Sequence, residues 1–298
     1  MTRTCIIFNP AAKGEKARRF VAQVRDLAGE AVLKPTRTPG EGRALARQAV
    51  LEGQEIIVAA GGDGTINEVV NGLADAPDGF ARARLGVVPL GTANVFAREL
   101  DLPFRLPDAW AVIREGKEAR LDLVQADFEQ NGKPRRHYMV QLGGAGLDAR
   151  AIELLKAGQK RALGSLAYVI AGLKALREAK AGIVAEDGHR RVQGQLTMLG
   201  NGRLYGGSFT LFPHADLKDG KLDVTVFPQA DIRTLIRFWL DYLGGRHEGI
   251  GGSVQFQCAE LTLRACSPSP VPFELDGDNV GYLPARFSVR PRRLRVVC

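Results

Sequence analysis

Cysteine is scarce and dispersed. Cys5, Cys258, Cys266 and Cys298 are the four in the chain, and no two form a CxxC pair. That spacing excludes a cysteine-built zinc site and a disulfide framework, and it suits a reducing, cytoplasmic compartment. Long apolar runs are missing as well. The longest, Leu163 to Leu176, is interrupted by Ser165 and Lys174 and is too short to span a bilayer. Met1-Thr2-Arg3 leads straight into a strand-like TCIIF, so no secretory leader is expected. Any membrane contact is therefore expected to be peripheral. Histidine is limited to His137, His189, His214 and His247, whose scatter suits surface or structural roles better than catalysis.

Against these absences stand glycine, with 35 residues, and positive charge. Lysine plus arginine total 41 against 33 acidic residues, a formal net charge of +8. Such an excess suits an anionic partner: a nucleotide, a nucleic acid or an acidic membrane surface. No nucleic-acid recognition motif or basic-aromatic array is present, so a nucleic-acid partner is not expected. With 298 residues the chain is long enough for two ordinary domains.

Organisation follows from hydrophobic period. Residues 4–8, Glu55–Ala60 and Leu85–Val88 read as strands, and Ala17, Phe20, Val21, Val24 and Leu27 mark one helical face. This alternation predicts an α/β domain over residues 1–118 with a mostly parallel sheet, whose ligands sit outside the carboxyl ends of the strands. From 119 to 298 short β-rich runs dominate (121–128, 138–142, 192–199, 221–227, 254–264, 286–297). Helical stretches near 163–179 and 231–243 interrupt them. That pattern predicts an antiparallel β-sandwich, with its last strands able to return to the first domain.

The strongest local signal is Gly61-Gly62-Asp63-Gly64-Thr65, directly after a strand and before a helical INEVVNGLA. Glycines let the backbone bring N–H groups against an anion, and the following helix adds its positive end. Thr65 is placed to cap that helix or donate to a phosphate oxygen. Asp63 would repel a triphosphate unless it holds magnesium or orients a nucleophile. The plainer reading is a glycine-rich turn with an aspartate cap. A second turn, Pro89-Leu90-Gly91-Thr92-Ala93-Asn94, has the same strand-to-helix construction. Thr36 before Pro39-Gly40, and Asn9-Pro10 with Lys13 nearby, mark two more junctions. Each alone is an ordinary turn; together they predict a phosphate cleft.

GGDGTINE followed by PLGTAN resembles the catalytic domain of the diacylglycerol kinase superfamily, which includes sphingosine kinases and soluble bacterial lipid kinases. Gly200-Asn201-Gly202, Phe212-Pro213-His214-Ala215-Asp216-Leu217-Lys218-Asp219-Gly220-Lys221-Leu222-Asp223 and Phe273-Glu274-Leu275-Asp276-Gly277-Asp278 extend the likeness, in order, along essentially the whole chain. The resemblance implies a two-domain kinase, NAD-kinase-like in fold, with its active site between the domains. It implies ATP and Mg2+ as cofactors, a hydroxyl of a membrane lipid as acceptor, and a place in phospholipid synthesis. It assigns nucleotide binding to Asn9, Thr36, Gly61, Gly62, Asp63, Gly64, Thr65, Asn67 and Thr92, and the general base to Asp276. It assigns a magnesium site to Asp216, Asp219 and Lys221, the first and last through main-chain carbonyls. Two positions depart from the family pattern: Asp278 stands where bacterial members often have Glu, and Val95 follows Asn94 where Asp is common. By position alone Asp276 reads first as a hairpin aspartate, and the resemblance reverses that preference.

Two apolar stretches carry basic shoulders. Leu163–Leu176 is flanked by Lys156, Lys160, Arg161, Arg177 and Lys180, and Ile232–Leu243, with Phe238, Trp239 and Tyr242, has Arg233, Arg237 and Arg246 beside it. Either would suit an anionic membrane surface, although the plainer reading, packing on the sandwich, is preferred for both. Rival functions are an NAD-kinase-like small-molecule kinase and an inactive lipid- or nucleotide-binding protein. A homodimer stays an open expectation.

Overall fold

The computed structural model describes residues 2–10, 19, 20, 22–24, 26, 29–146, 182–266 and 269–298. Lys13, the 163–179 stretch and its basic flanks lie outside them. The chain divides into two compact units, Met1–Leu123 with Leu204–Thr210 and Arg290–Cys298, and Val124–Arg203 with Leu211–Val289.

The first unit is α/β. Its elements are β1 (Thr4–Phe8), β2 (Val32–Pro35), α1 (Glu41–Leu51), β3 (Ile56–Gly61), α2 (Asp63–Asp75), β4 (Arg84–Pro89), α3 (Val95–Glu99) and α4 (Leu106–Glu115). The strands run parallel in the order β2-β1-β3-β4. β3 reads as an unbroken apolar run because both its faces are covered. Ile6, Phe8, Ile56, Val58 and Ala60 share one face with Ala109, Trp110 and Ile113 of α4 and with Phe20 and Val24. The alternate set, Cys5, Ile7, Ile57 and Ala59, faces the side where α1 and α2 pack, as the two-residue period of a strand requires. Burial pushes the Cys5 thiol up to about 12, so it is an inert core group. Ala46 and Gly72 let α1 and α2 cross closely, and Arg43 closes the crossing with two bonds to Asp75, 2.6 and 2.9 Å.

The second unit is an antiparallel sandwich. Its strands are most of β5 (Glu118–Gln130), β6 (Lys133–Met139), β7 (Leu142–Gly146), β8 (Ile183–Glu186), β9 (Arg191–Gly194) and β10 (Leu196–Gly200). After a small ribbon of the first unit, β11 (Leu204–Tyr205) with β12 (Phe209–Thr210), come β13 (Leu222–Phe227), helix α5 (Ile232–Leu243), β14 (Val254–Cys258), β15 (Glu260–Ala265), β16 (Pro272–Leu275), β17 (Asp278–Tyr282) and the start of β18 (Ala285–Val297). One layer has the order β14-β13-β10-β7-β16-β17. Against it lies a layer in which β15 pairs with β8 and with β18. Alternate residues of both layers, among them Val224, Val226, Phe273 and Leu275 from one and Leu261, Leu263 and Phe287 from the other, form one core. Phe273 and Phe287 meet edge to face at 5.9 Å.

From Arg290 onward the last strand belongs to the first unit. Val296 pairs in parallel with Leu85 of β4. The Arg292 N–H donates to Asp122 Oδ1 at 2.7 Å, and Arg295 grips Glu118 with bonds of 3.0 and 2.8 Å. The guanidinium holds the Glu118 carboxyl below its usual range.

One expectation holds on one face of α5 only, where Phe238 meets Phe227 of β13. The apolar stripe of α5 is not packed on the sandwich; Leu240 and Leu243 are 66% and 78% exposed. Hydropathy period marks a stripe but does not say which side of the helix meets the protein. Among the described residues no helix is long and apolar enough to cross a membrane.

Candidate active site

Register places the sequence-predicted nucleotide residues of the first unit along one edge. Phe8 pairs with Pro35 and with Ala60, and Gly61 pairs with Pro89. Thr36, Asn9, Gly62 and Leu90 therefore follow the carboxyl ends of β2, β1, β3 and β4 in spatial order, where ligands of parallel α/β sheets bind. Thr36 ties two of these ends: its N–H donates to Phe8 O at 2.8 Å, and its hydroxyl reaches the same oxygen at 3.4 Å.

The two glycine turns touch backbone to backbone. Leu90 N–H donates to Gly61 O at 2.9 Å. A Cβ built on Gly62 would lie 3.3 Å from the Gly91 α-carbon, so both positions exclude a side chain from the loop contact itself. The helix α2 starts at Asp63 with Gly62 as N-cap, and no side chain caps it. Thr65 is thus not the cap that the sequence allowed. It lies inside the first turn, its side chain packed against Gly61, and its N–H donates to Gly62 O at 3.0 Å. The preceding amides of Asp63 and Gly64 come before any intrahelical acceptor and face out along the axis, as anion-binding helix starts do.

Asp63 has a structural task on one oxygen. Its Oδ1 accepts the Phe96 N–H at 3.1 Å, joining the first turn to α3 behind the second. Asn94, absent from the predicted site residues, closes that second turn. It sits at φ 49°, its Oδ1 accepts from Gly91 N–H at 2.9 Å and its Nδ2 donates to Gly91 O at 2.8 Å. Asparagine suits this left-handed position, which was the signal available in the sequence. Thr92 stands exposed at the tip, and Val95, where the family often has Asp, is buried at the start of α3.

Glu68 was also missed, although it ends the GGDGTINE string. Its carboxylate accepts from Gly40 N–H and Gly42 N–H, both at 2.8 Å, and so anchors the loop after Thr36 and the start of α1 to α2. Asn67 is buried, with Asn71 Nδ2 donating to its backbone oxygen at 3.0 Å. Its Oδ1 also accepts from Asn71 Nδ2, at 3.2 Å.

In the second unit, Asp276 occupies the hairpin between β16 and β17, with left-handed φ at Asp276 (52°) and Gly277 (87°). The Asp-Gly pair is what a two-residue hairpin turn demands. Its side chain turns back across the sheet. Oδ2 accepts from Val140 N–H at 2.8 Å, and Oδ1 from Gln141 N–H at 2.9 Å and Leu142 N–H at 3.1 Å. The Gly200-Asn201-Gly202 signature supports that segment from behind: Asn201 Nδ2 donates to Val140 O at 2.7 Å, and Asn201 N–H to Gln141 O at 2.9 Å. Asp276 is thus a hairpin residue whose carboxylate is fixed by three amides.

The residues of the predicted magnesium site form a tight loop before β13. Asp216 Oδ1 accepts from Lys218 N–H at 3.0 Å and Asp219 Oδ1 from Lys221 N–H at 2.9 Å. Among the described residues no group of three or more His, Cys, Asp or Glu side chains converges as a metal site. Burial raises the pKa of nearby Asp223, and the charge of Asp219 adds to the rise, while the Gln257 bond opposes it.

Residues 3–126 match the family model described as the diacylglycerol kinase catalytic domain, and residues 142–298 the one described as the YegS C-terminal NAD kinase beta sandwich-like domain. The diacylglycerol kinase of Staphylococcus carnosus strain TM300 is 30% identical over 292 residues, 96% of this chain and 91% of that protein. The diacylglycerol kinase of Bacillus subtilis strain 168 is 31% identical over 307 residues, 100% of this chain and 96% of that protein. A crystal structure of a diacylglycerol kinase from Bacillus anthracis strain Sterne covers 99% of this chain and 96% of its own, with a TM-score of 0.73 at 21% identity, a likeness of fold. An α/β unit with paired glycine turns, together with an antiparallel sandwich, defines the class: a two-domain kinase. Within that class the chain belongs to the diacylglycerol kinase family, with the YegS-like lipid kinases.

Proposed function

We propose that the protein is an ATP-dependent lipid kinase that phosphorylates a hydroxyl of a diacylglycerol-like membrane lipid, acting as a cytoplasmic, peripherally membrane-associated enzyme. The observation that carries this reading is the contact of Gly62 with Gly91, which sets the two glycine turns side by side with no room for a side chain between them. Asp63 and Gly64 N–H groups would receive phosphate oxygens at the positive end of α2. Thr92, Thr36 and Asn9 would complete the nucleotide side along the same strand ends.

Phosphoryl transfer asks for positioning and charge neutralisation more than covalent help. As the acceptor oxygen bonds to the γ-phosphorus, the bond from that phosphorus to the β–γ bridging oxygen breaks and ADP leaves. The acceptor's proton passes to the Asp276 carboxylate, a step worth roughly 10²–10⁴ in rate. Three amides hold the Asp276 carboxylate in one orientation.

Magnesium bound with the nucleotide would neutralise phosphate charge. In the Asp216–Lys221 loop, the Asp219 carboxylate and the main-chain carbonyls of Asp216 and Lys221 would be the oxygens to hold such an ion. Asp223 pairs with Gly200, Gly200 with Leu142, and Leu142 O accepts from Asp276 N–H. Three strand spacings, about 14 Å, separate that row's ends. A cation in the loop would therefore brace β13 and stay remote from the proton transfer.

The test is a panel of diacylglycerol, phosphatidylglycerol, a sphingoid base and a polyprenol in mixed micelles with labelled ATP, with NAD included because the second unit matches an NAD kinase-like sandwich. Labelled lipid is expected. Labelled NAD alone would move the assignment to a small-molecule kinase, and ATP binding without transfer to an inactive binding protein.

A further inference from the structure

Helix α5 wears its apolar side outward. Ile232, Ile236, Trp239, Leu240 and Leu243 are 52%, 55%, 47%, 66% and 78% exposed, and their spacing sets them on one face. The other face is what meets the protein. The Phe238 ring lies 6.2 Å from that of Phe227, and the Gly251 backbone comes up against Phe238 and Thr234. This inverts the usual arrangement of a surface helix, which hides its apolar stripe.

Charge is sorted the same way. Arg233 and Arg237 lie one helical step from Ile236 on the shoulder of the stripe, and Arg246 follows the helix. The carboxylates are turned inward or used. Asp241, 14% exposed, accepts from Gly251 N–H at 2.9 Å and touches Arg237 and Arg246 only at 3.8 Å; Asp231 caps the helix by accepting from Thr234 N–H at 2.8 Å. Among the described residues of α5, none on the outward face is acidic. Trp239, packed edge to face on Tyr242 at 6.1 Å, is the residue type favoured where water meets lipid. The stripe covers on the order of 500 Å², the size of a functional patch. It falls short of the roughly 800 Å² per partner of an ordinary protein–protein interface.

We propose that α5 is the membrane-docking element of the protein. It lies in the interfacial plane of an anionic bilayer, with the Ile232–Leu243 stripe below the headgroups and Arg233, Arg237 and Arg246 on lipid phosphates. The proposal rests on the lipid-kinase reading for its purpose, but it is read without turnover. The full chain is mixed with phosphatidylcholine vesicles with and without phosphatidylglycerol, at low and high salt, and sedimented. The chain has two tryptophans, and the other, Trp110, is 7% exposed, so quenching by brominated lipid reports Trp239. Binding to phosphatidylglycerol vesicles, weakened by salt, with quenching of Trp239, is expected. Leu240→Asp with Leu243→Asp should lower partitioning at least about tenfold. Arg233→Gln, an exposed change that leaves packing alone, should weaken only the anionic, salt-sensitive part. Unchanged partitioning of the leucine variant, or binding without quenching, overturns the proposal. So does a dimer that the leucine changes convert to monomer while vesicle binding persists, because the stripe would then serve self-association. Docking through α5 without lipid phosphorylation would sustain this surface and sink the lipid-kinase reading; phosphorylation of micellar lipid without docking would do the reverse.

Discussion

A Cβ on Gly91 would stand 2.5 Å from the α-carbon of Gly62, so the two glycine turns are a single unit built from two strand ends. Neither can be displaced without moving the other, because Leu90 is bonded to Gly61 and Asp63 to Phe96 across the same seam.

Gly91→Ala, which leaves the motif GGDGT untouched, should therefore lower ATP affinity by about tenfold or more, and Gly62→Val should do the same. Equilibrium binding of ATP by calorimetry checks it. A folded Gly91→Ala protein with native affinity would show that the seam is not part of the phosphate cradle.

Asp276→Asn should cut turnover roughly 10²-fold or more while ATP affinity holds. The amide also turns a donor toward one of the three N–H groups on this side chain, so a loss of about 1–3 kcal/mol in stability is expected. Single-turnover transfer and a melting curve separate the two effects. More than a tenth of native turnover would remove Asp276 from the role of base.

Glu68→Ala should raise the KM for ATP and lower the melting temperature, since Gly40 and Gly42 N–H groups lose their carboxylate. Loss of such a charge at the α1 start is worth about 0.3–1 kcal/mol at an exposed helix terminus. Glu68→Gln, which keeps an acceptor, should fall between. Identical KM values for all three proteins would detach this loop from nucleotide binding.

Asp223 supplies a pH test. Its pKa is raised chiefly by burial, with Asp219 adding, so the folded state holds that proton more tightly than the unfolded chain does. Its contribution is intact below the ordinary carboxylate range and is lost as pH rises through the raised value. Asp223→Asn should accordingly stabilise the protein at neutral pH and flatten the decline between acid and neutral pH. Magnesium in the Asp216–Lys221 loop should offset part of that decline in the native protein and none of it in Asp219→Ala, as melting curves across pH would record.

Much of the glycine-turn geometry was legible in the sequence, because glycine runs after apolar strands leave few other conformations, and the apolar cores of β1, β3 and β4 mark them as buried strands. Partners remote in sequence were not. Phe96 on Asp63, Val140 on Asp276 and Asn201 behind Val140 are products of register, which no local pattern encodes. The α5 stripe was visible and its direction was not: Phe238 and Asp241 win the inward side through Phe227 and Gly251, contacts set by β13 and the loop before β14.

The closing strand sets a condition on biosynthesis. Arg292 reaches Asp122 across 170 residues and Arg295 reaches Ala81 across 214. While the chain emerges from the ribosome, the β4 side that Val296 will cover stands open, a bare edge able to recruit a neighbouring chain. The first unit, though begun first, is finished last. Shortening the C-terminus by a few residues should thus harm ATP binding at the other end of the sequence, and crowded overexpression should favour aggregates seeded at β4.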